Sequence, residues 1–133
     1  MPARSRPLSP HLSVYRFTIT MTMSIVHRLT GIALYAGTVL LVGWLLAGAW
    51  GPVPLAYVNG FFAHWFGTLV LIGYTWALLH HMLGGIRHFI WDATAGMEAG
   101  QREAIAWANV IGSVLLTVII WTVYFMFRGP TAL

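Results

Sequence analysis

The sequence predicts an all-α membrane protein with three transmembrane helices, and three observations carry that prediction. Only 8% of the 133 residues are charged while 59% are hydrophobic, against roughly a quarter charged in a soluble domain. Three apolar runs, at 29–50, at 57–83 with a continuation to about 90, and at 105–127, each reach the length of about 20 residues that a bilayer crossing takes. The seven basic residues are all arginine and stand singly between those runs, as membrane flanks do and nucleic-acid surfaces do not. A soluble enzyme and a nucleic-acid-binding domain are thereby excluded, and a lipid bilayer is the expected solvent.

Residues 1–28 form a polar segment expected at the cytoplasmic interface. Within it, Phe17 to Ser24 alternates apolar and hydroxyl side chains, a period of two that points to extended backbone. Lipid does not tolerate unpaired strands, so this stretch is expected at the interface or under another protein. The first helix, Leu29 to Trp50, is uncharged and closed by the breaker cluster Gly51-Pro52-Val53-Pro54. It is too long for the apolar core of a secretory signal and has no small-residue cleavage site after it. The second helix begins near Tyr57 and is interrupted only by His64, His80 and His81 before Arg87, His88 and Asp92. A loop at 91–104 leads to the third helix, Ile105 to Phe127, which Arg128-Gly129-Pro130 closes.

Arginine sets the expected orientation. Arg4, Arg6, Arg16 and Arg28 precede the first helix, Arg87 and Arg102 flank the loop after the second, and the connection at 51–56 has none. The excess puts the N-terminus and the 91–104 loop in the cytoplasm (or matrix) and the C-terminus outside. Trp50, Trp65, Trp91 and Trp107 fall near the predicted interfaces, where amphipathic rings prefer to lie. The sequence contains no cysteine, which excludes disulfides, thiolate metal sites and cysteine-held iron–sulfur clusters from this chain. An Arg-rich amphipathic transit peptide is missing, so a bacterial cytoplasmic membrane is expected in preference to a mitochondrial inner membrane.

Ionisable residues inside spans are functional candidates by default. His81 and His88 are seven apart, which puts them on one helix face about 10 Å apart along the axis. Gly84 and Gly85 lie between them. Two glycines inside a helix sacrifice propensity, which fits either close helix–helix packing or a flat group against the backbone. A haem with His81 as a neutral axial ligand, and the glycines under the macrocycle, satisfies the second reading. His80 stands roughly 100° round the helix from His81; the two cannot share one iron, and one of them is expected to bond a neighbouring helix. His64, 17 residues before His81, offers a ligand for a second haem, but no second ligand of this chain stands at its depth and it is read as an interfacial histidine. His27 and Arg28, at the inner entrance of the first helix, offer cationic donors to haem propionates. Ser24, at i, i+4 from Arg28, adds a hydroxyl, and the pair can hold a quinone carbonyl and stabilise charge as it is reduced. No second iron ligand stands at the depth of His81, so it is expected from another polypeptide with helices of its own.

Two blocks then carry a resemblance. Arg6-Pro7-Leu8-Ser9-Pro10-His11-Leu12 with Ser24-Ile25-Val26-His27-Arg28-Leu29-Thr30-Gly31 resembles the first signature of succinate dehydrogenase cytochrome b556 subunits. His81-Met82-Leu83-Gly84-Gly85-Ile86-Arg87-His88-Phe89-Ile90-Trp91-Asp92 resembles the second, H-x3-G-I-R-H-x2-W-D. Both sit in register with the three predicted spans. The resemblance implies the large membrane anchor of respiratory complex II, bundled with a smaller anchor subunit and docking an iron–sulfur subunit and a flavoprotein on the inner face. It implies His81 as an axial ligand of haem b, with the other ligand from the smaller anchor. It further implies Ser24 and Arg28 at the ubiquinone site, His27, Arg28 and His88 near the propionates, and Asp92 on a proton route or docking surface. Succinate would be oxidised on the partners, since this chain has no flavin fingerprint. The competing readings are the anchor of a quinol:fumarate reductase and a non-redox helical membrane protein with a polar cavity.

Overall fold

The computed structural model describes residues 16–128. The predicted contributions of Arg4 and Arg6, of the block from Pro7 to Leu12, and of Gly129 and Pro130 lie outside the described residues. Four helices follow one another: α1 (Ile19–Trp50), α2 (Pro52–Ala63), α3 (Trp65–Asp92) and α4 (Ala99–Phe127). Three of them, α1, α3 and α4, are long and apolar enough to cross a membrane, as the sequence predicts.

The helix boundaries correct the sequence reading at the start of the first span and within the second, while the first span ends at Trp50 as expected. Helix α1 begins at Ile19, not at Leu29, so the stretch expected to be extended is helical almost throughout. Its reason is the backbone's need for local partners: Met21 N and Thr22 N both donate to Thr18 O at 3.1 Å, and Thr22 Oγ1 adds a bond to the same carbonyl at 3.3 Å. In an apolar medium a helix meets that need within one segment and a lone strand does not. At 32 residues and 1.5 Å per residue, α1 is about 48 Å long. Ten residues of helix therefore project beyond the predicted 29–50 span.

The second correction is a break in the expected 57–83 helix. Only Gly51 (φ 126°) interrupts the chain after α1, and Pro52 opens the 12-residue helix α2, where proline's fixed φ suits the first turn. His64 then adopts extended backbone and separates α2 from α3. Thr68 Oγ1 donates to Phe62 O at 3.1 Å and His64 N to Gly60 O at 3.2 Å, which satisfies the end of α2. Gly67 makes the corner possible, because a Cβ there would strike the Phe61 carbonyl. The last connection is shorter than predicted, spanning residues 93–98. It turns through Thr94 (φ 57°) and Gly96 (φ 69°).

Helices α1 and α3 run antiparallel, with His27 against Gly84, Gly31 against His81 and Gly37 against Tyr74. Helix α4 returns along α3. Apart from Met23 on α1, the buried stripes are small or polar: Thr30, Gly37 and Ala47 on α1, Ala77, His80 and Gly84 on α3, and Ala106, Asn109, Ser113 and Thr117 on α4. Large apolar side chains point outward; Tyr35, Phe89 and Phe127 are each at least 75% exposed. Small residues at the contacts let membrane helices approach closely, while lipid is as good a solvent as a core for leucine or phenylalanine.

Candidate functional site

The polar groups converge where the N-terminal turns of α1 meet the C-terminal turns of α3. Residues 20, 24, 27 and 28 share one face of α1 once that segment is helical. Together with Arg87, His88 and Trp91 of α3 they line a cavity of about 240 Å³. Ser24, His27, Arg28 and His88, singled out from spacing and resemblance, are thus brought together. Thr20, Arg87 and Trp91 join them, and no carboxylate is in the lining.

His81 lies one to two turns deeper, and its tautomer follows from its neighbours. Its Nδ1 is 3.1 Å from the His27 carbonyl oxygen and 3.3 Å from Thr30 Oγ1. Thr30 spends its own hydroxyl proton on the same carbonyl at 2.9 Å, so both oxygens can only accept. Nδ1 therefore carries the hydrogen, and the lone pair resides on Nε2, which has no hydrogen-bond partner among the described residues. A carbonyl bonded to one ring nitrogen orients an imidazole and raises the basicity of the other. No group of three His, Asp or Glu able to hold a bare metal ion occurs among the described residues. A single oriented imidazole is the donor set suited to an iron that brings its own equatorial nitrogens.

The two glycines separate. Gly84 is filled from α1: a Cβ there would strike His27 Nδ1. Its vacancy seats the His27 ring, which stacks on His81 with centroids 3.9 Å apart and planes within 6°. Gly84 therefore serves helix packing, the plainer of the two readings. Gly85 has nothing within 4 Å of its would-be Cβ and lies one turn from His81; the space beside it is open.

His80 behaves as expected of a histidine that bonds a neighbouring helix. It is 1% exposed and its Nδ1 donates to Ser113 Oγ of α4 at 3.2 Å, whose own proton goes to Val110 O at 2.9 Å. The Asn109 amide sits beside it, its nitrogen 3.2 Å from the His80 carbonyl oxygen and its oxygen 3.3 Å from Gly84 N. His64 is exposed and its Nδ1 accepts from Phe66 N at 3.5 Å, which makes it a helix cap. Asp92 ends α3, is exposed and does not line the cavity.

Arg87 is the member that spacing alone did not assign. It is 3% exposed, and its Nε and Nη1 are enclosed without a hydrogen-bond partner. Its guanidinium lies 5.0 Å from the Trp91 ring centroid, a contact worth about 0.5–2 kcal/mol. Taking a cation out of water costs several kcal/mol, so the aromatic face alone does not offset it. The stripe His80, Gly84, Arg87, Trp91, at i, i+4, i+7 and i+11, was readable as the inward face of α3.

A larger cavity of about 750 Å³ opens at the opposite end, between Gly37, Leu41, Trp44, Asn59, Tyr74 and Tyr124. Its lining is mostly apolar and gathers none of the predicted chemistry.

Comparison with known proteins decides the family. A model of the succinate dehydrogenase/fumarate reductase transmembrane subunit family matches residues 2–120. The chain belongs to this family. It is 42% identical to the succinate dehydrogenase cytochrome b556 subunit of Paracoccus denitrificans, over 92% of this chain and 95% of that one. Identity to the cytochrome b556 subunit of Rickettsia felis is 36%, over 87% and 90% of the two chains. The mitochondrial cytochrome b560 subunit of Sus scrofa is 37% identical, over 86% of this chain and 69% of its own length. Membership argues against the non-redox reading of the helices and places the arginine–histidine cavity in a transmembrane subunit of the succinate dehydrogenase/fumarate reductase family.

Proposed function

We propose that the chain is the large membrane anchor of a succinate:quinone oxidoreductase in a bacterial cytoplasmic membrane, its N-terminus on the cytoplasmic side. It binds haem b through His81 and forms part of the ubiquinone-reduction site with Ser24 and Arg28. The observation that carries this reading is the fixed tautomer of His81, Nδ1–H toward the His27 carbonyl and Nε2 left to donate. His27, Arg28 and His88 line the adjoining cavity and are the donors assigned to the propionates. Gly85, with open space beside it, is the glycine that admits the macrocycle. The second iron ligand comes from the smaller anchor subunit. A flavoprotein and an iron–sulfur subunit complete the enzyme, since this chain has no cysteine with which to hold a cluster.

Haem b supplies a one-electron store beside the quinone pocket. This chain's residues act on the quinone itself. Ser24 donates its hydroxyl hydrogen to a carbonyl oxygen, which fixes the ring. Arg28, one turn further along α1, stabilises the negative charge that grows on that oxygen as electrons arrive. Its guanidinium stays charged throughout, so it orients and stabilises without serving as the proton source. The cavity, at about 240 Å³, is smaller than the roughly 300–1,000 Å³ of a complete small-molecule site. A wall contributed by a partner subunit accounts for the difference.

The test is purification of the intact complex from its host. Co-purification of a flavoprotein and an iron–sulfur subunit, with a bis-histidine haem b spectrum abolished by His81→Ala, supports the reading. A spectrum unchanged by that substitution removes His81 as ligand. The family model also covers fumarate reductase, but the relatives above are succinate dehydrogenase subunits, which favours quinone reduction.

A further inference from the structure

Arg87 stands apart from every other charged side chain among the described residues: it alone is enclosed by the fold. Two of its nitrogens are buried without a partner, and the cavity it borders contains Ser24, His27, Arg28 and His88 but no carboxylate. Asp92, five residues on, is exposed at the end of α3. A guanidinium cannot shed its proton to escape burial. The Trp91 face and the C-terminal turn of α3 offer it partial charges only. A permanent buried cation needs a permanent anion, and a neutral quinone that exchanges at each turnover would leave it unpaired between visits.

We infer that Arg87 holds a resident carboxylate inside the inner cavity, carried by a tightly bound cofactor. On the haem reading above, on which this rests, that carboxylate is a propionate. Arg87 then approaches it from the α3 side while Arg28 and His27 approach from α1, so both walls of the cavity hold the cofactor. Removing a positive charge beside a haem disfavours its reduced form, which carries one more negative charge.

The experiment uses the purified complex with R87M, which keeps length without charge, and R87K, which keeps charge without the planar fork. The haem midpoint potential, the rate of haem transfer to apomyoglobin and the quinone KM are measured for each. R87M is expected to lower the potential and speed haem transfer about tenfold, the scale of lost outer-sphere contacts, with R87K between it and the wild type. If R87M does not assemble, the R87K shift alone decides. Wild-type potential and transfer rate in either assembled variant overturn the inference. A raised quinone KM with haem properties unchanged overturns it in favour of the quinone. Subunit dissociation with haem properties unchanged overturns it in favour of a partner's carboxylate. Should the wild-type complex lack haem, or keep its spectrum in His81→Ala, the haem reading itself fails; indifference to R87M in a complex whose spectrum needs His81 removes only the role of Arg87.

Discussion

The imidazoles of His27 and His81 lie face to face, centroids 3.9 Å apart and planes within 6°, while the backbone carbonyl of the same His27 fixes the tautomer of His81. One residue of α1 thus holds the other histidine by its ring and by its main chain. Gly84 is what allows the approach.

The neighbouring glycines should therefore respond differently to alanine. Gly84→Ala places a methyl group against His27 Nδ1, and overpacking of this kind costs about 1–3 kcal/mol. Thermal unfolding of the complex should drop accordingly. Gly85→Ala meets nothing in this chain, so it should leave the α1–α3 contact intact and instead lower haem content. Haem content equal to wild type in Gly85→Ala would remove that glycine from the cofactor's surroundings.

Thr30→Val keeps the shape of the side chain and deletes the hydroxyl that bridges the His27 carbonyl and His81 Nδ1. Loss of an outer-sphere partner typically weakens a bound metal group about 10- to 100-fold. Faster haem transfer to apomyoglobin is expected, with absorption maxima little changed because the His27 carbonyl bond remains.

On the proposed function, Ser24→Ala and Arg28→Ala act on the quinone. Each should reduce succinate:quinone activity, by on the order of 10²-fold where the charge-stabilising donor is lost. Succinate oxidation with an artificial acceptor should remain largely intact, since the partners carry it. Equal loss of both activities would instead indicate failed assembly.

On the opposite side of α3, Ser113→Ala removes the acceptor of the buried His80 Nδ1–H. Interhelical hydrogen bonds in membranes average about 0.6 kcal/mol and reach about 1.7, so a fall of that size in unfolding free energy is expected. Quinone KM should not move.

Much of this was readable from residues alone. The three spans follow from uncharged runs, and Ser24, His27, Arg28 and His88 gather in one cavity as their spacing and motif suggest. The start of α1 was misread because Thr18, Thr20, Thr22 and Ser24 alternate with apolar neighbours, and a period of two hides the helical spacing of Thr20, Ser24 and His27. The break at His64 was hidden because residues on both sides are equally apolar; hydropathy does not register a corner that depends on Gly67 clearing the Phe61 carbonyl. Arg87 stood among the ionisable candidates of the second helix but received no role, because the burial of its side chain depends on what α1 brings against it.

The unbroken course of α1 from Ile19 to Trp50 has a consequence for maturation. The side chains at 24 and 28 and the carbonyl at 27 are carried on one rigid rod, and its seating is checked by three matched pairs, His27 with Gly84, Gly31 with His81 and Gly37 with Tyr74. A slip of one residue rotates the rod by about 100°, turning the hydroxyl and guanidinium out of the cavity and taking the carbonyl from His81 in the same movement. On the proposed reading, a mis-seated α1 would therefore disable the quinone and haem residues together.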